Sequence, residues 1–393
     1  MSKLEKLIQQ YCPDGVEYYH LNDVATIKRG ERVTKAQLIP NGQYPVISGG
    51  VKPLGYLNRY NRKANTITIA QYGTAGYVDW QQNQFWANDV CYSVFPSKII
   101  NNRFLYFVLL HNQQLLYSLK TNAIPACLPL DKLAGVEIPV PPLPVQEEIV
   151  RVLDTFTELQ AELQAELQKR QQQYNFYRDN LLNFKNINRG GQEIKWMKLK
   201  DVATQWYRGA GIKREEVGNE GMPCIRYGEI HTSYNIWFKD CISHTDETKQ
   251  ATKKYAEYGD ILFAITSEDI PLVGNSVAYL GKEKIMVGGD IVVMKHNQDP
   301  RYMAYALSTS DAIKQKGKGK VKSKVVHTNV PSLQEIVIPI PPMEEQQRIA
   351  DILDRFDTLT NDLTSGLPAE MEKRRQQYEF YRDKLLTFKR KEA

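Results

Sequence analysis

Six lysines, Lys314, Lys316, Lys318, Lys320, Lys322 and Lys324, alternate with other residues on the way to His327, with Asp311 the one acid nearby. If that stretch is extended, alternation throws every lysine to one side. A row of ammonium groups then tracks phosphates, and each phosphate neutralised steepens the salt dependence of binding. The competing reading is a solvated strand or loop. Two smaller basic clusters follow a shared phrase. Leu21, Asp23, Val24, Ala25 and Thr26 precede Lys28, Arg29, Gly30 and Arg32; Leu199, Asp201, Val202, Ala203 and Thr204 precede Arg208, Gly209, Lys213 and Arg214. Basic clusters at matching places point to phosphate or groove contact in both.

Reading bases needs forked or amide side chains on loops that glycine keeps open, because arginine pairs bidentately with guanine and asparagine or glutamine with adenine. Residues 47–55 (Ser48, Lys52), 59–63 (Arg59, Arg62) and 71–76 (Gln71, Tyr72, Thr74) form such loops. Residues 225–231 (Arg226, Tyr227, Glu229, His231), 266–269 (Ser267) and 322–327 play the same part further on. For each of these residues, base reading, phosphate binding and backbone positioning stay open. Trp80, Trp86, Trp206 and Trp237 read as packing residues rather than stacking platforms.

Catalytic patterns are absent from the sequence. The runs IPVPP and IPIPP lack the preceding Asn or Asp of an amino-methyltransferase N/D-P-P-Y motif. No G-x-x-x-x-G-K-[ST] phosphate loop occurs, and the 6 histidines form no H-E-x-x-H or clustered Cys/His spacing. No nucleophile elbow frames a serine. The sequence therefore implies no metal and no cofactor in this chain.

A chain of 393 residues with 42% hydrophobic and 24% charged residues is soluble, globular and long enough for two or more domains. A net charge of +6 permits a polyanionic partner without demanding one. The 5 scattered cysteines read as reduced thiols. No apolar run approaches the ~20 residues of a membrane span, and no signal-peptide core opens the chain. The expected compartment is the cytoplasm, with no membrane partner.

The elements that must position these loops are given by an internal repeat. Ile138, Pro139, Pro141, Pro142, Gln146, Ile149, Leu153, Asp154 and Phe156 recur as Ile338, Pro339, Pro341, Pro342, Gln346, Ile349, Leu353, Asp354 and Phe356. Further on, QYNFYRDNLLNF recurs as QYEFYRDKLLTF. After each Pro-Pro pair the apolar period becomes that of a coiled coil. The first seam is Ile149, Leu153, Phe156, Leu163, Leu167, Tyr174, Tyr177, Leu181 and Phe184. The second is Ile349, Leu353, Phe356, Leu363, Leu367, Met371, Tyr378, Tyr381, Leu385 and Phe388. About 40 helical residues give a rod of roughly 60 Å, and a stripe that long needs a partner helix. Antiparallel pairing is expected, with a break near Gly366 and Pro368, where the second copy carries four extra residues. Before each helix, short runs such as residues 66–70 and 261–265, separated by Gly, Asn and Pro, predict a β-rich module carrying one helix. The expected class is α+β: two β-rich α/β domains separated by two long antiparallel coiled-coil helices, a pseudo-two-fold internal repeat. A short helix with Leu4, Leu7 and Ile8, stopped at Pro13, resembles the tail of a preceding repeat.

With both copies of PP-x-x-x-Q-x-x-I-x-x-x-LD-x-F, the opening Cys12-Pro13-Asp14-Gly15-Val16-Glu17 and the ELQAELQAELQ run at 158–168, the chain resembles the specificity subunits of Type I restriction-modification systems. It is most similar to the class with a four-residue central helix repeat. The resemblance implies target-recognition domains at 18–140 and 191–338, helical spacers at 141–190 and 339–393, and an N-terminal helix and turn at 1–17. It implies a non-catalytic role: recognising a bipartite, asymmetric double-stranded DNA target and docking two methyltransferase subunits, thereby directing adenine methylation and, with restriction subunits, cleavage. S-adenosylmethionine, ATP and Mg would belong to those partners. Two other readings remain open on the residues alone: a self-contained methyltransferase or nuclease, and a non-specific coiled-coil adaptor.

Overall fold

The computed structural model describes residues 3–184, 194–267, 272–316, 320–322, 325–361 and 366–392. Leu363, Lys318, Lys324 and the end of the 266–269 loop lie outside the described residues. The chain divides into two compact units, Met1–Glu162 with Glu372–Ala393, and Leu163–Met371.

In the first unit an antiparallel ribbon, Tyr18–His20 against Glu137–Pro139, ties together the two ends of the module. Four antiparallel strands follow, in the order Ala25–Arg29, Cys91–Pro96, Thr66–Ala70 and Val78–Gln81. Thr66–Ala70 is buried at every position, which suits a β-branched run in the middle of a sheet. The helix Asn102–His111 packs on this sheet, burying Phe104, Leu105, Phe107, Val108 and Leu109. Asn101 caps it, its carboxamide oxygen accepting from the amides of Arg103 and Phe104. A smaller sheet joins Tyr56–Leu57, Tyr44–Ile47 and Trp86–Ala87, the last pair parallel.

The second unit repeats the plan. Its ribbon is Lys195–Lys198 against Val337–Ile340. Its main sheet runs Ala203–Arg208, Ile291–His296, Ile261–Ala264, Ser276–Tyr279 and Trp237–Phe238. The helix Pro300–Leu307 is buried from Tyr302 to Leu307. A second sheet again holds one parallel pair, Met222–Ile225 with Ile285–Val287. A third joins Thr266–Ser267, Val325–His327 and Lys320–Lys322.

The helix after the first Pro-Pro pair runs unbroken over Leu143–Leu181. The second copy is two helices, Met343–Asn361 and Leu367–Leu386, separated near Gly366. In the first unit, Val145, Ile149 and Leu153 are buried with Leu386. Phe156 meets Tyr378 and Tyr381 at centroid distances of 6.4 and 5.4 Å, while Glu148 and Val152 share a groove with Leu385 and Phe388, so the two helices run antiparallel there. In the second unit Tyr174, Leu182 and Phe184 are buried with Ile349, Ala350 and Leu353. Leu182 and Leu386 are buried at the helix ends, and their neighbours Leu181 and Leu385 pack half-buried against the same cores. Tyr177 and Tyr381 lie at the exposed edge of the seam. Among the described residues no helix is long and apolar enough to cross a membrane.

Candidate nucleic-acid interface

Each module is held to its helix by the same polar grip. Gln146 is fully buried. Its carboxamide oxygen accepts from the amide of Asn101 at 2.7 Å, and its Nε2 donates to the carbonyls of Ile99 at 3.0 Å and Pro141 at 2.7 Å. Gln346, 1% exposed, accepts from the amide of Asp299 at 3.0 Å and donates to Gln298 Oε1 and the Pro341 carbonyl at 2.7 and 2.8 Å. Asn101 and Asp299 are the caps of the two core helices. About two turns along, Asp154 accepts from Arg103 at 2.8 Å and Asp354 from Arg301 at 2.7 Å. These are the Gln and Asp of the repeated phrase. Their recurrence in the sequence was the available signal, although their polar role was not read from it.

Held this way, the modules present equivalent backbone at the ends of their first long strands. In the first, the amides of Gly30, Glu31 and Asn88 donate to the carbonyls of Cys91, Ala87 and Ile47 at 3.0, 2.8 and 2.8 Å. In the second, those of Gly209, Ala210 and Gly288 donate to Ile291, Val287 and Ile225, each at 2.9 Å. A Cβ on Gly30 would stand 2.1 Å from the Ala87 oxygen, and on Gly209 2.2 Å from the Gly288 oxygen. Only glycine fits either crossing. The residue before it is arginine in both, Arg29 and Arg208, and both are exposed. The next loops also correspond. Gln71 and Ile265 donate to Val90 and Asp290 at 2.9 and 3.0 Å, and accept from Leu128 and Thr328 at 2.8 and 3.0 Å.

In the first module this frame gathers several expected contact residues onto one surface. Thr74 donates through its amide and its hydroxyl to the Gly49 carbonyl, both at 2.8 Å. Ser48 accepts from Asn88 Nδ2 at 3.3 Å. Arg59 lies over Trp86 at 4.6 Å, and the Trp86 indole donates to the Glu31 carbonyl at 2.8 Å. Tyr72 bridges to Cys127. Arg32 and Lys52 are exposed. Lys28 and Arg29, adjacent on a strand, point to opposite faces, Lys28 towards Phe95 and Arg29 over Tyr92.

Two residues expected to meet DNA turn inward instead. The Arg62 guanidinium donates to Ser93 Oγ at 3.0 Å and to the carbonyls of Asn61 and Arg29 at 2.9 and 2.7 Å. Those acceptors are fixed parts of the fold, so Arg62 is a structural tie. Gln71 is 4% exposed.

In the second module Arg208, Arg226 and Tyr227 line one open cleft of about 500 Å³, together with Gly209, Gly288 and Asp290. Lys213 is exposed beside it, opening the short turn Arg214–Glu216. Glu229 turns inward: its carboxylate accepts from the Arg226 amide at 3.0 Å and from the Ser243 hydroxyl. Ser267 is also buried. His231 Nε2 is 3.1 Å from the Thr266 carbonyl, and His327 Nδ1 is 3.2 Å from Thr266 Oγ1, so both histidines adjoin one strand. The lysine run is not one extended stripe. Lys314 and Lys316 end the helix Ser310–Lys316, and strand geometry covers Lys320–Lys322. Lys316 is buried, with Nζ donating to Ser276 Oγ at 2.9 Å and lying 5.9 Å from the Phe263 ring centroid. Burial pushes its pKa down to about 7.

The tryptophans pack, as expected: Trp206 stacks on Phe263 and Trp237 donates to Asp354 at 2.9 Å. Among the described residues no three His, Cys, Asp or Glu side chains are grouped to hold a metal ion.

Duplicated α+β modules, each latched to a helical connector and each offering an arginine before an obligatory glycine, define a protein of two matched modules. A family model for the Type I restriction modification DNA specificity domain matches residues 13–170 and 192–373. The chain belongs to that family, the specificity subunits of Type I restriction-modification systems, which are their non-catalytic components. It is 30% identical to a Haemophilus influenzae putative type I restriction enzyme specificity subunit over 98% of both chains. It is also 30% identical to an Escherichia coli Type I restriction enzyme specificity subunit, over 100% of this chain and 98% of that one. The fold is shared with the crystal structure of a Type I S subunit from M. genitalium, at TM-score 0.58 and 17% identity, covering 95% of this chain and 96% of that one.

Proposed function

We propose that each module of this specificity subunit contacts one half of a bipartite, asymmetric duplex-DNA target. The helices fix the separation of the half-sites and dock two methyltransferase subunits, which methylate adenine; restriction subunits joining that complex add cleavage. S-adenosylmethionine, ATP and Mg are needed in those partners. The compartment is the cytoplasm, where the 5 free cysteines would stay reduced.

The observation that carries this reading is the arginine before the obligatory glycine, held by equivalent hydrogen bonds in both modules while the surrounding loops differ. A common frame with different loop chemistry suits two recognition surfaces that approach a duplex alike and read different bases. The exposed cations Arg29, Arg32, Lys52, Arg59 and Lys213 supply the phosphate contacts. Each Glu-Leu-Gln-Ala unit adds ~6 Å of helix, against ~3.4 Å per base-pair step, so spacer length follows repeat number.

Mapping methylated adenines in cells that make the chain with its methyltransferase partner tests this. A bipartite motif is expected. Removing one Glu-Leu-Gln-Ala unit should shorten the spacer and leave both half-sites unchanged, and exchanging residues 196–338 for another family member's second module should change one half-site only. Methylation with no bipartite motif, or a change in both half-sites after the exchange, overturns the reading.

A further inference from the structure

Arg208 differs from its counterpart Arg29 in one respect that bears on what it reads. Arg29 lies over the Tyr92 ring at 5.8 Å. Arg208 is fixed from one side: Nε donates to the Gly289 carbonyl, and Nη2 donates to Asp290 Oδ1 at 2.7 Å. Both side chains stay accessible, at 60% and 42% exposure. A guanidinium has five N–H donors in a rigid fork. Two are used here, so the outer edge, formed by Nη1 and the remaining Nη2 hydrogen, is aimed rather than free to rotate.

Resting on the proposed DNA-reading role, we infer that Arg208 and Asp290 form a reader of one G·C base pair in the second half-site, with Arg208 the contact to guanine and Asp290 its positioning residue. The charge balance favours a base over a phosphate. A lone cation suits a phosphate, whereas a carboxylate 2.7 Å from the guanidinium cancels much of its charge and repels an incoming anion. The O6 and N7 acceptors of guanine are neutral, so Asp290 does not oppose them, and the fork matches their spacing. The second oxygen of Asp290 can accept from the N4 amino group of cytosine, the pairing a carboxylate makes in the major groove. The cleft is open towards solvent beside this pair: Gly211 lines it, and a Cβ built there would meet nothing within 4 Å.

The test uses the full chain assembled with its methyltransferase partner, comparing wild type with Arg208→Lys, Arg208→Ala and Asp290→Ala by methylation mapping and by binding across a salt series. Arg208→Lys keeps the charge and loses the fork, and Asp290→Ala keeps the arginine and loses its orientation. Both should cut discrimination at one guanine of one half-site by roughly ten-fold or more, leaving the other half-site unchanged. Unchanged base preference in both variants overturns the inference. So does a uniform loss of affinity in Arg208→Ala with the salt slope reduced by about one, which marks a phosphate contact. Either result leaves the bipartite reading intact. A wild-type complex with no bipartite motif removes that reading, and this inference with it.

Discussion

Phe156 stacks on Tyr381 with ring centroids 5.4 Å apart and planes 24° from parallel. The same two residue types meet in the other unit, where Tyr177 stacks on Phe356 at 5.8 Å and 23°. Phe156 and Phe356 are repeat equivalents, as are Tyr177 and Tyr381, so one contact is built twice with the helices exchanging roles. Offset stacking of this kind contributes about 0.5–1.5 kcal/mol beyond area burial. A double-mutant cycle of Phe156→Ala and Tyr381→Ala, followed by denaturant unfolding, should return a coupling in that range. Strictly additive losses would mean that the rings share an edge of the seam without stabilising it.

Gln146 is the more demanding contact, because each of its three hydrogen-bond partners is a backbone group with little alternative. Replacing it by leucine strands the Asn101 amide and the carbonyls of Ile99 and Pro141 away from water. Leaving a buried polar group unpaired costs about 1–3 kcal/mol, so Gln146→Leu should lower stability by about 2–4 kcal/mol. Gln346→Leu should behave alike. A loss below about 1 kcal/mol in both, measured by the shift of the unfolding midpoint, would show that the grip is not what holds module to helix.

The duplicated helices and the β-rich modules were legible because their signals are local: a 3-4 apolar period, a repeated phrase and buried β-branched runs. The site was legible only as a frame. Arg29 and Arg208 could be matched through the shared phrase before them, but Arg62, Gln71 and Glu229 look like surface readers in sequence. The inward direction of Arg62 depends on Ser93 and the Arg29 carbonyl, and that of Glu229 on Ser243, partners that the fold brings in from elsewhere in the chain. Asp290 went unnoticed for the same reason, since its partner Arg208 is remote in sequence. The lysine run misled by its alternation. The helix Ser310–Lys316 opens at Thr309, whose Oγ1 accepts from the Ala312 amide at 3.3 Å, and it takes in Lys314 and Lys316, so a strand rule applied there assigns the wrong direction.

Asp154 and Asp354 occupy the same place in the repeat but carry different loads. Asp354 accepts from Arg301 Nη1, the Tyr305 hydroxyl and the Trp237 indole at 2.7, 2.7 and 2.9 Å. Asp154 accepts from Arg103 at 2.8 Å, and that guanidinium also lies over the rings of Trp80, Tyr106 and Phe107 at 4.8 to 4.9 Å. Asp354→Ala should therefore cost about 2–4 kcal/mol, through the unpaired tyrosine and indole. Asp154→Ala should cost about 1 kcal/mol, since Arg103 keeps its aromatic contacts. Thermal unfolding of the two variants gives the order directly, and equal losses would refute the assigned asymmetry.

Lys316 makes stability depend on pH in a direction opposite to that of a paired lysine. Burial lowers its pKa from 10.5 to about 7; its amine lies by Phe263 and Ser276, and Gly274 lies against its stem. Between about pH 7 and 10.5 the unfolded chain holds a proton that the folded chain does not, so this residue's contribution to stability rises with pH across that window. Below about 7 both states are protonated and the full penalty is present. Lys316→Met, which keeps the volume and removes the charge, should raise stability at pH 7 by up to a few kcal/mol. The difference between variant and wild type should shrink steadily towards pH 10. Denaturant midpoints measured at pH 7, 8, 9 and 10 decide it: a constant difference, or a variant less stable at pH 7 than at pH 10 relative to wild type, would show that the amine is not held in a desolvated site.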